Sequence, residues 1–353
     1  MACVVQCLGT ADACRVVNRI LVADVRGSVC RRISGVPWKR PMTACHNDSI
    51  EVCVCTYRRP QLSVTLESLA ALRVPDDFTL SVLIIDNDAT PSARPLVEGV
   101  VATFPVPLRY VHCPEGNISI ARNGALDHCR ARYLAFIDDD ETASPDWLCA
   151  LVDELRRTQA DVVLGPVESV YDQSAPSWMC NLEIHSTRPV WVKGEIRTGY
   201  TCNVIIDRHA PAVRDRRFDL ALGKTGGEDS LFFDEIHEAG GKIGYAERAL
   251  VHEDVTPERL AYGWLLRRRF RMGQTHGRML RRKIGAGRLL SNLAVALAKV
   301  TYCCGAAVLG GYDTTRRNAA LLRGTLHIGV FMGLTGMREL ELYGSGSVQR
   351  GEN

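Results

Sequence analysis

The chain has 353 residues, 46% of them hydrophobic and 24% charged, and a net charge of +3, an ordinary balance for a globular protein. That length holds one large α/β domain, or a domain with a sizeable extension. Its fourteen cysteines show neither a small-domain spacing nor a paired CxxC, which excludes a disulfide framework and a zinc site and points to a reducing cytosol.

Residues 1–41 fit no signal peptide, lacking a basic start followed by an apolar stretch and a cleavage site. Met42 follows at once, and the first strong strand starts at Ile50. Residues 1–48 are therefore expected to be a poorly ordered extension, with 1–41 dispensable or a mis-assigned start.

"SIEVCVCTY" (49–57) reads as a buried strand, with Cys53 and Cys55 as small core residues. A helix follows in "QLSVTLESLAAL", apolar at 62, 66, 69 and 72. "LSVLIIDND" (80–88) is a second near-continuous apolar strand, which suggests a parallel sheet covered on both faces. "LRYVHC" (108–113) is a third strand, "SIARNGALDHC" (119–129) a helix, and "YLAFIDDD" (133–140) a fourth strand. "SPDWLCALVDELRR" (144–157) opens as a helix, with Ser144 as cap and Pro145 in the first turn, and "ADVVLGPV" (160–167) is a fifth strand. Alternating strand and helix predicts a doubly wound, parallel α/β sheet, whose ligands bind at the carboxyl ends of the strands. Thr56, Asp86 and Asp138–Asp140 all fall at such ends.

From 168 to 255 the pattern is irregular, with a Gly-rich loop, "GKTGGEDS", running into the helix "LFFDEIHEAG". Beyond 256 the chain reads as helical and basic: ten Arg or Lys and no acid fall between Arg259 and Arg288. Residues 291–310 carry only Lys299 as a charge, a marginal length for a membrane span that their Gly, Thr and Asn content weakens.

The acids allow two readings each. Asp138, Asp139 and Asp140 suit a hard divalent cation shared with a diphosphate, or form a solvated loop; in an extended strand Asp138 and Asp140 would share one side. Asp86 could accept from a base or ribose, or simply form a turn. Arg122 could reach phosphates, or be a solvated helical Arg. Glu228 and Asp229 suit a general base on a mobile loop, or an acidic helix start. His252 is a structural histidine, or a third metal ligand if the others converge.

In order and spacing, "VCVCTYRRP", "VLIIDND", "ISIARNGAL", "FIDDDE", "TGGEDSLFF" and "VHED" resemble the family 2 glycosyltransferases of the GT-A fold, over residues 49–255. The likeness is to the bacterial exopolysaccharide enzymes. It implies a GT-A nucleotide-binding sheet, mostly parallel and flanked by helices, with a helical C-terminal extension over 256–353. It also implies inverting transfer of one sugar, glucose in these enzymes, from a UDP-sugar to a lipid-linked saccharide, with Mn²⁺ or Mg²⁺. Carried over by motif, Thr56 and Arg58 line the nucleotide pocket, Asp86 meets the uracil and Arg122 the base or diphosphate. Asp138 and Asp139 belong to the nucleotide-sugar site, Asp140 and possible partner His252 to the metal. Asp229 is the base with Glu228 beside it, and Tyr200, Thr201 and Asn203 of "TGYTCN" shape the sugar and acceptor site. The QxxRW signature of processive synthases is missing, so a single addition is expected.

Three rivals stand against this. A dehydrogenase would need GxGxxG after the first strand, where "CTYRRP" stands. A nucleotidyltransferase would need a Gly-rich basic loop there. A catalytically silent domain binding partners at a membrane would not need both acidic motifs. The basic and apolar C-terminal stretches suit peripheral attachment to an anionic membrane from the cytoplasmic side, and no nucleic-acid partner is expected.

Overall fold

The computed structural model describes residues 48–337. The expected extension over 1–48 lies outside the described residues, except for Asp48. From there the chain runs β1 (Asp48–Thr56), α1 (Leu62–Ala70), β2 (Phe78–Asp86), α2 (Arg94–Val100), β3 (Leu108–His112), α3 (Ile118–His128) and β4 (Tyr133–Asp138). Next come β5 (Glu141–Ala143), α4 (Trp147–Thr158), β6 (Val162–Leu164), β7 (Val167–Val170), α5 (Ser177–Asn181), β8 (Trp191–Val192) and β9 (Glu195–Ile196). The domain closes with β10 (Asn203–Asp207), α6 (Glu228–Glu238), β11 (Ile243–Tyr245) and β12 (Val251–Asp254). Three long helices follow: α7 (Tyr262–Lys283), α8 (Ala286–Gly310) and α9 (Thr314–Thr335).

Seven strands form the main sheet in the order β11-β6-β10-β4-β1-β2-β3. The four strands from β4 to β3 are parallel, but β10 runs antiparallel to both β4 and β6. The expected fully parallel sheet is thus mostly parallel, with one reversed strand near its centre. The reversal follows from the route of the chain. After β6 it stays at the carboxyl edge to build β7, α5 and the β8–β9 hairpin, and re-enters the sheet from that edge.

Both faces of the sheet are covered, which is why its strands read as unbroken apolar runs. Val52, Val54, Val82 and Ile84 pack on one side with Leu62, Leu66 and Leu69 of α1 and Trp147, Leu148 and Leu151 of α4. Cys53, Leu83 and Ile85 pack on the other with Ala121 and Ala125 of α3 and Phe232, Phe233 and Ile236 of α6. Each such large side chain contributes about 1.5–3 kcal/mol by burial.

Three local expectations change. Helix α4 starts at Trp147, not after a Ser144 cap; Ser144 instead closes a preceding turn, its carbonyl accepting from Trp147 N at 3.0 Å. The strand expected over 160–167 breaks at Gly165, where a Cβ would lie 2.6 Å from Asn203 and from the Ala249 carbonyl. Strand β4 ends at Asp138, so Asp139 and Asp140 lie in a turn and the same-side alternation does not apply.

A second sheet, β5-β12-β7, sets Glu253 opposite Glu141, just past the end of β4. Helices α7 and α9 cross at glycines. A Cβ on Gly273 would lie 2.0 Å from the Leu326 carbonyl, and one on Gly329 2.0 Å from that of Phe270. Gly277 and Gly333 make the matching approach one turn on, each 2.3 Å from a facing carbonyl.

Candidate active site

Parallel pairing places Thr56 beside Asp86 and Cys55 beside Asp138, so the carboxyl ends of β1, β2 and β4 form one rim. The turn after β4 crowds carboxylates there. Asp139 accepts from Tyr57 N at 3.3 Å, and Arg59 lies 3.7 Å from Asp139 and 3.5 Å from Asp140. Glu141 turns back to accept from Asp138 N at 2.9 Å. Arg259, just before α7, pairs with Glu253 and reaches Asp140 at 3.5 Å.

The electrostatics record this crowding. Burial first, and then Asp140, Asp139 and Glu253, raise Asp138 to about 7 against the opposing pull of Arg122. Asp139 rises to about 6, again chiefly by burial, although the Thr56 hydroxyl and Arg59 work the other way. Glu141 is raised by burial and by Asp138. These acids are short of positive charge.

That shortage tests the expected cation. Among the described residues no three His, Cys, Asp or Glu side chains converge as a self-sufficient metal site. A hard divalent ion needs fewer: one or two carboxylates, with waters and substrate phosphates completing its shell. The Asp138–Asp140 turn therefore fits a cation shared with a diphosphate. His252 does not join it. Its neighbour Glu253 pairs with Arg259, which reaches Asp140, and strand alternation sends adjacent side chains to opposite faces.

Across the rim, α6 begins with Glu228 and Asp229 after two glycines in the left-handed region, Gly226 (φ 84°) and Gly227 (φ 91°). Their backbone rests on α7: a Cβ on Gly226 would lie 3.3 Å from Arg271, and one on Gly227 2.3 Å from Thr275. The same loop is tied to α3, because Gly223 leaves no room for a Cβ beside Asn117, which caps that helix. Asp229 is half-buried, and burial and then Glu228 push it up to about 6.

Several expected contacts are already occupied. Asp86 is fully buried and accepts from Asp88 N at 3.1 Å, Ala93 N at 2.8 Å and the Tyr110 hydroxyl at 2.8 Å. It closes the loop after β2 and offers uracil no accessible oxygen. Arg122 is buried in an ion pair with one oxygen of Glu228, whose second oxygen is buried with no hydrogen-bond partner. The pair fixes α3 to the start of α6. Asn203 is also buried, donating to the Pro166 and Ala249 carbonyls at 2.8 and 2.7 Å and accepting from Trp147 Nε1 at 2.8 Å. The Tyr200 hydroxyl donates to the Gly165 carbonyl at 2.7 Å. Both hold the Gly165 break in place, a scaffold task where an acceptor contact was expected. Thr201 is buried with an unpartnered hydroxyl. Arg58 (φ 52°) holds Asp88 with two contacts of 2.8 and 2.9 Å, and its hydrogen bond draws Asp88 down to about 2.

Sequence reasoning missed four members of the rim: Tyr57, Arg59, Glu253 and Arg259. Tyr57 is an aromatic ring 49% exposed beside the acids, and its place directly after a strand end was the available signal. Arg259 had none, because only β12 pairing brings it back to the β4 turn.

Comparison with known proteins fits this arrangement. Residues 51–211 match the sequence model of glycosyl transferase family 2. Over 299 residues the chain is 52% identical to the succinoglycan biosynthesis protein ExoM of Rhizobium meliloti (strain 1021), covering 85% of this chain and 97% of that one. The chain belongs to glycosyl transferase family 2. It is a glycosyltransferase with a GT-A-type sheet and a helical C-terminal region. A more distant relative, 25% identical over 64% of this chain and 75% of its own, is the glucosyl-dolichyl phosphate glucuronosyltransferase of Haloferax volcanii. Among solved structures, a mannosyltransferase from Pyrobaculum calidifontis, in complex with GDP-Man and Mn²⁺, aligns with TM-score 0.58. It is 18% identical and covers 82% of this chain and 88% of that one, a likeness of fold.

Proposed function

We propose that this glycosyltransferase moves one sugar, with inversion, from a UDP-sugar to a hydroxyl of a lipid-linked saccharide in exopolysaccharide assembly. The observation that carries the reading is the pairing of two acidic centres at one sheet edge. One is the β4 turn, short of positive charge; the other is Asp229, raised to about 6 on a glycine-built helix start.

Single displacement needs a base on one side of the sugar and charge compensation on the other. Asp229 would take the acceptor proton, working near its own pKa. Asp140 would hold the cation, with Asp139 toward the ribose. A bound Mn²⁺ or Mg²⁺ would offset the charge that develops on the departing diphosphate. Thr56 and Arg58 would flank the nucleotide, and the exposed Tyr57 ring offers a face for its base. Glu228 and Arg122 would act by position, holding Asp229 to the rim. ExoM supports the exopolysaccharide context, and the glucosyl-dolichyl phosphate of the Haloferax enzyme's name supports an acceptor carried on a lipid.

The setting would be the cytoplasmic face of the membrane. All nine cysteines recorded among the described residues are unpaired, as a reducing compartment keeps them. Helix α8 is long and apolar enough to cross a membrane by length and composition.

Calorimetric titration of UDP and of GDP, with and without Mn²⁺, tests the donor site. Tight Mn²⁺-dependent UDP binding is expected. Preference for GDP would replace the nucleotide, and no binding in any condition would remove the donor site.

A further inference from the structure

A cavity of about 450 Å³ opens between α5, α7 and α9. Trp178, Met179, Leu260, Tyr262 and Leu321 give it an apolar, partly aromatic wall, and Arg317 supplies a single cation. Among the described residues no carboxylate pairs with Arg317, unlike its neighbour Arg316, which holds Asp313 at 3.2 Å. The Tyr262 hydroxyl, close enough to feel the Arg317 charge, is buried with no hydrogen-bond partner.

Two neighbours define what could lie there. On one side the wall joins the acidic rim directly. Leu260 follows Arg259, whose guanidinium meets Asp140 and Glu253 and whose carbonyl is held 3.0 Å from His185 Nε2. On the other side Arg317 sits in the first turn of α9, just after the α8–α9 turn. That turn is an apolar tip: Leu309 is 90% exposed, and Val308 and Tyr312 also stand out in solvent.

A free saccharide would need many polar partners, and this wall offers few. A nucleotide would set its polar base and ribose against this mostly apolar wall. An amphiphile with one anionic group satisfies every surface: chain on the apolar wall, phosphate on Arg317 and the Tyr262 hydroxyl, and entry from the apolar tip. We propose that the cavity is the acceptor subsite for a long-chain lipid phosphate or diphosphate, which presents its saccharide to the Asp229 rim. This rests on the lipid-linked acceptor of the function proposed above.

Farnesyl diphosphate is the probe, titrated by calorimetry and tryptophan fluorescence into the full chain saturated with UDP and Mn²⁺, so that the donor site is filled. One saturable site is expected. Arg317→Ala should weaken it about tenfold or more, and Arg317→Lys should restore most of the loss. Farnesol and inorganic diphosphate should each bind at least about tenfold more weakly than the joined molecule. Arg317 is exposed, so neither variant threatens the fold, and UDP binding should be unchanged in both. Equal affinity in wild type and Arg317→Ala overturns the proposal, as does inorganic diphosphate binding as tightly as the farnesyl compound. Displacement of the probe by phosphatidylglycerol vesicles at matching affinity overturns it in favour of a general anionic-lipid site. If UDP fails to bind while the probe binds through Arg317, the donor reading falls and the lipid-phosphate site stands.

Discussion

A carboxylate that accepts a proton works best when its pKa lies near the working pH. Burial brings Asp229 to about 6, and its helix start is kept from drifting by the buried Arg122–Glu228 pair. Asp229→Asn is expected to lower turnover by about 10²–10⁴-fold while leaving Mn²⁺-dependent UDP affinity unchanged. Paired rate and calorimetric measurements check this, and wild-type transfer should fade as pH falls through about 6. Asn203 belongs to the scaffold. Removing its amide leaves Trp147 Nε1 and two carbonyls unpaired in the core, so Asn203→Ala should cost on the order of 3 kcal/mol in urea unfolding. The two residues show what sequence could and could not tell. The glycine-rich loop marked Asp229 at a helix start, and the structure places it there, half-buried across the rim. Asn203 looked like a site residue because it sits in a polar motif near a strand start, and only the third dimension shows its amide turned inward.

Elements were legible wherever both faces of the sheet are covered. β1, β2 and β4 announce themselves as apolar runs, and α1 by its 62, 66, 69 spacing. The reversed β10 was hidden, since strand direction depends on where the chain re-enters the sheet and not on its residues. The crossing of α7 and α9 was equally hidden, as glycines in a helix read locally as weak points. Here they let two backbones approach as close as side-chain-free surfaces can. Gly329→Leu should drive a side chain into the Phe270 carbonyl and lower stability by about 3 kcal/mol. Thermal unfolding would register it, and Gly305→Ala, with open space around its Cβ position, is the control.

For the molecule as a whole, the acidic rim links stability to pH. Asp138, Asp139 and Asp229 hold protons more tightly folded than unfolded, with values near 7, 6 and 6 against an ordinary 3.8. Their contribution is therefore fully present below about pH 4 and is lost as pH rises through 6 to 7. On the function proposed above, a bound cation with a nucleotide diphosphate would reverse that loss by compensating the ionised forms. The rise in melting temperature on adding Mn²⁺ and UDP should accordingly be larger at pH 8 than at pH 5.5, and chelation should abolish the difference. Equal rises at both values would separate the cation from these acids.

The seam of glycines has a mechanical consequence. Gly226 and Gly227 lie against Arg271 and Thr275, and Lys283 further clasps α6 through Asp234 and Glu238 at 2.6 and 2.7 Å. Helix α7 thus carries the Gly226–Gly227 loop through the Arg271 and Thr275 side chains on one flank, and meets α9 through bare backbone on the other. The backbone seam leaves α7 and α9 little room to slide past one another, so the two helices form one stiff support beneath the loop before Asp229.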